Sequence, residues 1–348
     1  VRLKDLKYLT AYSIPLTLAI GLLWRGPWSY FTPVFAFVLI PAAELMLPID
    51  NSNLVPEEQK SKAASVFFDL LLYLNIPLVF GLLYWFLSSL SYAQYSTSEL
   101  IGLTFSTGIA LGSNGINVAH ELGHRTKAWE RFMGKLLLVP SLYMHFYIEH
   151  NFGHHQHAAT KEDPASARYN QSVYSFWVTS ISRQYISAWR IQLALLERDG
   201  SGFLSVKNDM FWYVLIQAAY LIGVYYFFGA MGLAIALIIA LVSAILLETI
   251  NYIEHYGLSR SKTASGRYER VKQVHSWNSN HVLGRVVLYE LTRHSDHHYR
   301  AHKKYQLLDC HEDSPQMPYG YPTSMVLSLL PPLWYGIMNK RIPPEMKP

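Results

Sequence analysis

Six stretches of the chain, 8–24, 29–47, 66–87, 100–118, 210–228 and 233–247, are apolar and nearly free of charge. Each is close to the length a helix needs to cross a bilayer. The connections between them alternate. Those at 25–28, 88–99 and 229–232 are short and almost uncharged, and the others are long and basic. This rhythm predicts an all-α integral membrane protein with six transmembrane helices in three hairpins. The first apolar run passes straight into the second, so no removable signal peptide is expected.

Charge sets the orientation. With both termini in the cytoplasm, Arg25 is the one residue among 29 Lys and Arg that falls on the far side, as the retention of positive residues on the side of synthesis requires. The +5 net charge then reports topology and contact with anionic lipid, and no nucleic-acid partner is expected. The long connections, 119–209 and 251–348, would form a cytoplasmic helical cap within a single membrane domain, 1–348. Within the cap, 131–148 and 324–338 are apolar but interrupted by Pro140 and by Pro331 and Pro332, and read as interfacial or re-entrant pieces. Composition agrees: 51% of residues are hydrophobic and only 15% charged, too few charges for an ordinary soluble fold. The single cysteine, Cys310, excludes a disulfide framework, a cysteine-built zinc site and an iron–sulfur cluster.

Histidine carries the candidate chemistry. Nine of the 15 histidines fall in four groups: His120 and His124; His150, His154 and His155; His255; and His294, His297 and His298. Positions i and i+3 or i+4 share a helix face, so His120/His124, His150/His154 and His294/His297/His298 are each expected to aim at one point. Adjacent pairs diverge by about 100° on a helix and could serve two metals. Nine imidazoles exceed the four ligands of a structural zinc site, and all nine lie on the cytoplasmic side of the expected topology. Imidazole suits zinc, copper, iron and nickel alike, so spacing does not choose the element. His145, His157, His275, His281, His302 and His311 lack such spacing and are expected at the surface or behind the ligands. His120-Glu121-x-x-His124 also fits the HExxH pattern of zinc proteases, but that reading leaves the other clustered histidines without a role.

The motifs HELGHR (120–125), EHNFGHH (149–155), NYIEHYGL (251–258) and LTRHSDHH (291–298), in this order over six apolar spans, closely resemble the bacterial membrane-bound alkane monooxygenases. That family belongs to the histidine-rich non-haem di-iron class, which also holds the membrane fatty-acid desaturases. The resemblance covers essentially the whole chain. It implies an inner-membrane enzyme that hydroxylates the terminal carbon of linear alkanes with O₂ at two Fe ions. It also implies electrons from rubredoxin and its NAD(P)H-dependent reductase, and the nine histidines as metal ligands. This chain lacks the cysteines for a rubredoxin of its own. A fatty-acid desaturase or hydroxylase of the same class is the nearest alternative; a metal transporter should scatter its ligands along a path through the membrane.

Further expectations follow from polar residues at the depth of the histidines, where unpaired polar groups are expensive. Glu44, Asp69, Glu121, Glu248, Asn251, Glu254 and Asp296 are candidates to hold the free imidazole N–H, as are Ser113, Asn117 and Glu149. An alkane offers no polar handle, so a narrow apolar channel must select its end. Phe37 is the candidate to close that channel, with Trp24 and Phe35 as weaker ones, and Leu291 is the candidate to approach the reacting carbon. Arg260, Lys262, Arg267, Arg270 and Lys272 form a basic segment that could steer an acidic electron donor, with Trp277 nearby.

Overall fold

The computed structural model describes residues 2–347. They fold into thirteen main helices: α1 (Leu3–Trp24), α2 (Gly26–Glu44), α3 (Pro56–Ala63), α4 (Val66–Ser89), α5 (97–123), α6 (Ala128–Leu137), α7 (146–157), α8 (Val173–Arg198), α9 (Asp209–His255), α10 (Val282–Val287), α11 (His294–Tyr299), α12 (Tyr321–Ser328) and α13 (Pro331–Met338). Only isolated bridges, and no β-strand, form among the described residues.

Four helices, α1, α2, α4 and α9, are long and apolar enough to cross a membrane. The 100–118 stretch lies in α5, which is less apolar because Thr104, Ser106, Thr107, Ser113, Asn114 and Asn117 interrupt it. The 210–228 and 233–247 stretches both lie in α9. Its 47 residues would run about 70 Å as one straight helix, over twice a bilayer core. Gly229, with φ 67° and ψ −170°, breaks it, a conformation that glycine adopts without Cβ strain. Both ends of α9 return to the same end of the bundle. Asp209 pairs with Lys135 of α6 at 2.6 Å, α6 packs through Gly134 on Ala119 and Leu122 of α5, and His255 joins the histidines near the end of α5.

The α5–α9 contact is close because Gly108 and Gly112 face it. A Cβ on Gly108 would lie 2.5 Å from Val242 Cγ1, and small residues four apart are how apolar helices bring their backbones together. At the other end, α5 opens with a capping box. Ser96 Oγ accepts from the Glu99 amide, and Glu99 accepts from the Ser96 amide. Glu99 also accepts from the Gly26 amide at 2.8 Å, tying the α1–α2 turn to the start of α5.

Pro140 falls between α6 and α7, and Pro331 opens α13 after the break that ends α12. Helix α8 is an addition to the sequence reading. Its buried positions Phe176, Ser180, Gln184, Ala188 and Gln192 recur every fourth residue, a stripe with enough polar members to hide from a search for apolar spans.

Candidate metal centre and substrate cavity

The nine clustered imidazoles converge from α5 and the residue that caps it, His124, and from α7, α9 and α11 into two groups. His120, His124, His150, His155 and His297 form one, and His154, His255, His294 and His298 the other. Within each group the candidate ligand atoms lie within 4.8 Å of one another. The Nε2–Nε2 separations are 2.8 Å for His120/His297, 2.9 Å for His150/His155, 3.1 Å for His124/His150 and 3.3 Å for His255/His294. Nitrogens about 2.0–2.1 Å from a shared ion would stand about 2.9–3.4 Å apart for right-angle to tetrahedral geometry. His154 Nε2 and both ring nitrogens of His298 are buried without a hydrogen-bond partner, which is costly unless something else takes the lone pair. The donor sets therefore fit metal ions. Burial holds five of the rings neutral, as ligation requires. His297 is pushed down to about 3, and His150, His155, His294 and His298 also fall well below the usual imidazole value, with neighbouring imidazoles adding to the effect of burial on these four.

The grouping corrects part of the spacing argument. His120 and His124 share a group, as i and i+4 should, but His150 pairs with His155 and not with His154. Residues 150–154 are π-helical, so the wider turn brings i and i+5 together. In α11, His294 and His298 share a group while His297 joins the other. Both adjacent pairs, His154/His155 and His297/His298, are split between the groups.

Of the proposed imidazole partners, Glu254 alone forms a direct contact with a clustered ring. Its Oε2 is 3.2 Å from His294 Nε2, and its Oε1 accepts from the Tyr321 hydroxyl at 2.8 Å. It thus meets the inward nitrogen, not the free N–H. The other carboxylates are engaged elsewhere. Glu121 pairs with Arg125 at 3.0 Å and accepts from the Tyr305 amide. Asp69 pairs with Arg125 and Lys304. Glu248 accepts from Tyr143, Ser180 and Gln184, and Glu44 from the Gly284 amide. Asp296 is held by Lys303, His311 and the Asp309 amide; Glu149 is the exception, with neither buried oxygen hydrogen-bonded, and it lines a separate pocket beside α8. Glu121, Glu149 and Asp296 each stand one place from a ligand and so point about 100° away from that ligand on a helix.

The outward acceptors come from loops. Asp163 accepts from His154 Nδ1 at 2.9 Å and from Ser166 Oγ at 2.5 Å. Burial alone would raise Asp163, but His154, His255 and Ser166 outweigh it and hold the carboxyl below its ordinary value. The backbone carbonyl of His275 accepts from His255 Nδ1 at 3.2 Å, and that of His124 from His302 Nδ1 at 3.0 Å. The sequence reading missed Asp163. Its only local signal is an Asp-Pro step a few residues after the second motif. His145, expected at the surface or behind the ligands, is 4% exposed, with both ring nitrogens unpartnered, and packs on Tyr143 and Tyr185.

An apolar cavity opens onto both groups through His120, His150 and His294. Asn117, Asn251, Glu254 and Thr292 line it too, as do Ile14, Ala36, Phe37, Ile40 and Ile109. Ile109 precedes His120 by eleven residues on α5, about 16 Å of helix. Phe37 and Leu291 are lining residues. Trp24 is not; it is 61% exposed and packs edge-on against Trp28. Phe35 packs against the core without lining the cavity. Three π-helical segments, 35–39, 111–116 and 150–154, each contribute lining residues, an irregularity frequent at functional sites.

The basic segment is a loop whose far end covers His255. Lys262, Arg267, Arg270 and Lys272 are exposed. Arg260 is buried, donating to the Gln156 and Glu269 carbonyls, and so does not join that surface. Trp277 is buried, its indole donating to the Tyr256 carbonyl.

A helical membrane protein with two histidine groups beside an apolar cavity falls in a recognisable class: residues 96–326 match the family described as fatty acid desaturase. Within that class the chain belongs to the alkane 1-monooxygenase family. It is 38% identical to alkane 1-monooxygenase 1 of Pseudomonas aeruginosa, over 90% of this chain and 83% of that protein. It is 36% identical to alkane 1-monooxygenase 2 of the same organism, over 98% and 93%. The xylene/toluene monooxygenase hydroxylase component of Pseudomonas putida is 28% identical, over 94% of this chain and 87% of that protein.

Proposed function

We propose that this protein hydroxylates the terminal carbon of linear alkanes with O₂, giving primary alcohols, at two iron ions held by the nine clustered histidines. The observation that carries the reading is a single apolar cavity that reaches both histidine groups. When bound, the metals would supply the activation of O₂ that a C–H bond demands and no side chain can provide. The chain supplies aim and enclosure. Phe37, Ile40 and Ile109 offer an alkane tail only shape, so the end of the chain is what reaches the imidazoles. No Lys or Arg is among the cavity-lining residues, which leaves a fatty-acid carboxylate without a cation and favours the alkane over a desaturase substrate. Glu121 is held by Arg125 and the Tyr305 amide, so its carboxylate is not free to face the metal side as a protease base would.

Six spans in three hairpins would place the cap and both termini in the cytoplasm, in the bacterial inner membrane, as one domain. The exposed Lys262, Arg267, Arg270 and Lys272 would meet an acidic rubredoxin, reduced by its NAD(P)H-dependent reductase, over the loop whose His275 carbonyl holds His255.

The test is turnover by purified protein with rubredoxin, its reductase and NADH on a series of linear alkanes and fatty acids, with metal analysis. Primary alcohols and two irons per chain are expected. Desaturated acids, or one tightly held zinc, would overturn the reading.

A further inference from the structure

Helix α10 ends in an unusual way. The Glu290 amide donates to the Arg285 carbonyl at 2.6 Å and the Tyr289 amide to that of Val286 at 3.3 Å, the paired bonds that close many helices around a left-handed glycine. No glycine is present. Tyr289 has φ 53° and Glu290 φ 57°, two successive side-chain-bearing residues in a conformation that persists only when the surroundings impose it.

The surroundings do so through specific bonds. Tyr289 Oη accepts from Asn75 Nδ2 at 2.8 Å, and its ring stands edge-on to Tyr305. The Glu290 carboxylate is clamped on both oxygens, by the Tyr8 hydroxyl of α1 at 2.7 Å and by Arg285 Nε at 2.7 Å. Burial would raise Glu290, but Arg285 and Arg293 hold it below the ordinary carboxylate value. The residues flanking this turn face the cavity. Leu288, Leu291 and Thr292 line it, and His294 follows.

We propose that Glu290, clamped by Tyr8 and Arg285, is a positioning residue for regiospecificity: it locks the left-handed turn that sets Leu291 against the reacting end of the substrate. The proposal rests on the alkane-hydroxylase reading. An alkane offers the wall nothing but van der Waals contact, so the position of the wall decides which carbon is presented. Neither Tyr8 nor Glu290 lines the cavity, so both act through the backbone.

The experiment uses the full-length protein and three variants, Tyr8→Phe, Glu290→Gln and Glu290→Ala, assayed with rubredoxin, its reductase and one linear alkane. Three quantities are read: the ratio of 1-alcohol to 2-alcohol, iron per chain, and amide hydrogen exchange over 288–293. Tyr8→Phe is expected to raise the 2-alcohol fraction severalfold and to speed exchange over 288–293, with iron content unchanged. Glu290→Ala should do both more strongly, and Glu290→Gln, which still accepts from Tyr8, should fall between wild type and Glu290→Ala. If Glu290→Ala does not fold, Tyr8→Phe still decides. An unchanged product ratio in a folded, iron-loaded Tyr8→Phe protein, or unchanged exchange, would overturn the positioning role. Absence of alkane hydroxylation by the iron-loaded wild type would instead overturn the functional reading on which it rests.

Discussion

Two rings of the four-histidine group, His154 and His255, are braced from outside by hydrogen-bond acceptors, whereas the five-histidine group is positioned largely by ring contacts. In the first, Asp163 and the His275 carbonyl fix the Nδ1 side of His154 and His255, so their Nε2 atoms turn inward. In the second, Phe146 stacks on His150 at 4.7 Å and the imidazoles meet edge-to-face, as in His124 against His155 at 4.6 Å. An acceptor fixes both ring orientation and tautomer, while packing fixes orientation alone. The two candidate metal positions should therefore differ in affinity and in their response to mutation.

The largest effect is expected from His255→Ala. It should empty the four-histidine position, leave one metal per chain and abolish turnover. Retention of two metals with full activity would remove His255 from the ligand set. Next comes Asp163→Asn, which should weaken one of the two metals by roughly 10–100-fold in competition with a chelator and leave the other unchanged. Equal weakening of both would erase the distinction between the groups.

Acid should expose what the groups share. His297 and His145 are held neutral, each at about 3 against an ordinary value of 6.5, by burial. Below 6.5 the unfolded chain binds more protons than the folded one. The stability these two rings contribute is therefore complete above 6.5 and lost as pH falls toward 3. Thermal unfolding of metal-free protein should show a falling midpoint over that window. His145→Phe, outside both groups, should flatten part of the slope without changing metal content. The smallest effect is expected from His302→Ala. It removes one hydrogen bond to the His124 carbonyl, about 0.5–1.5 kcal/mol, and should alter metal affinity in the five-histidine group only slightly.

Much of this architecture is written in local patterns. The apolar runs appear as helices because length and composition are properties of a segment. The histidine motifs are legible because three- and four-residue spacings map onto a helix face. The regrouping of His150 with His155 is not legible, since it depends on a π-turn that a periodicity of 3.6 does not anticipate. Asp163 was out of reach for another reason: a loop returns it to His154, and no periodicity describes a loop. Glu248 shows the opposite failure. It precedes His255 by seven residues and shares its face, but two turns of helix separate them by about 10 Å, and its carboxylate turns to Tyr143, Ser180 and Gln184 instead.

The wide turn at 111–116 in α5 has a consequence for sequence change. A π-turn is in effect one residue inserted into a regular helix. Deleting a single position there would restore ordinary winding and leave His120 and His124 near their present heading, whereas the same deletion in a regular turn of α5 would swing both by about 100°, away from their companions, while every motif still read intact. In this helix, then, the number of residues matters as much as their identity, and a substitution scan alone would overlook it.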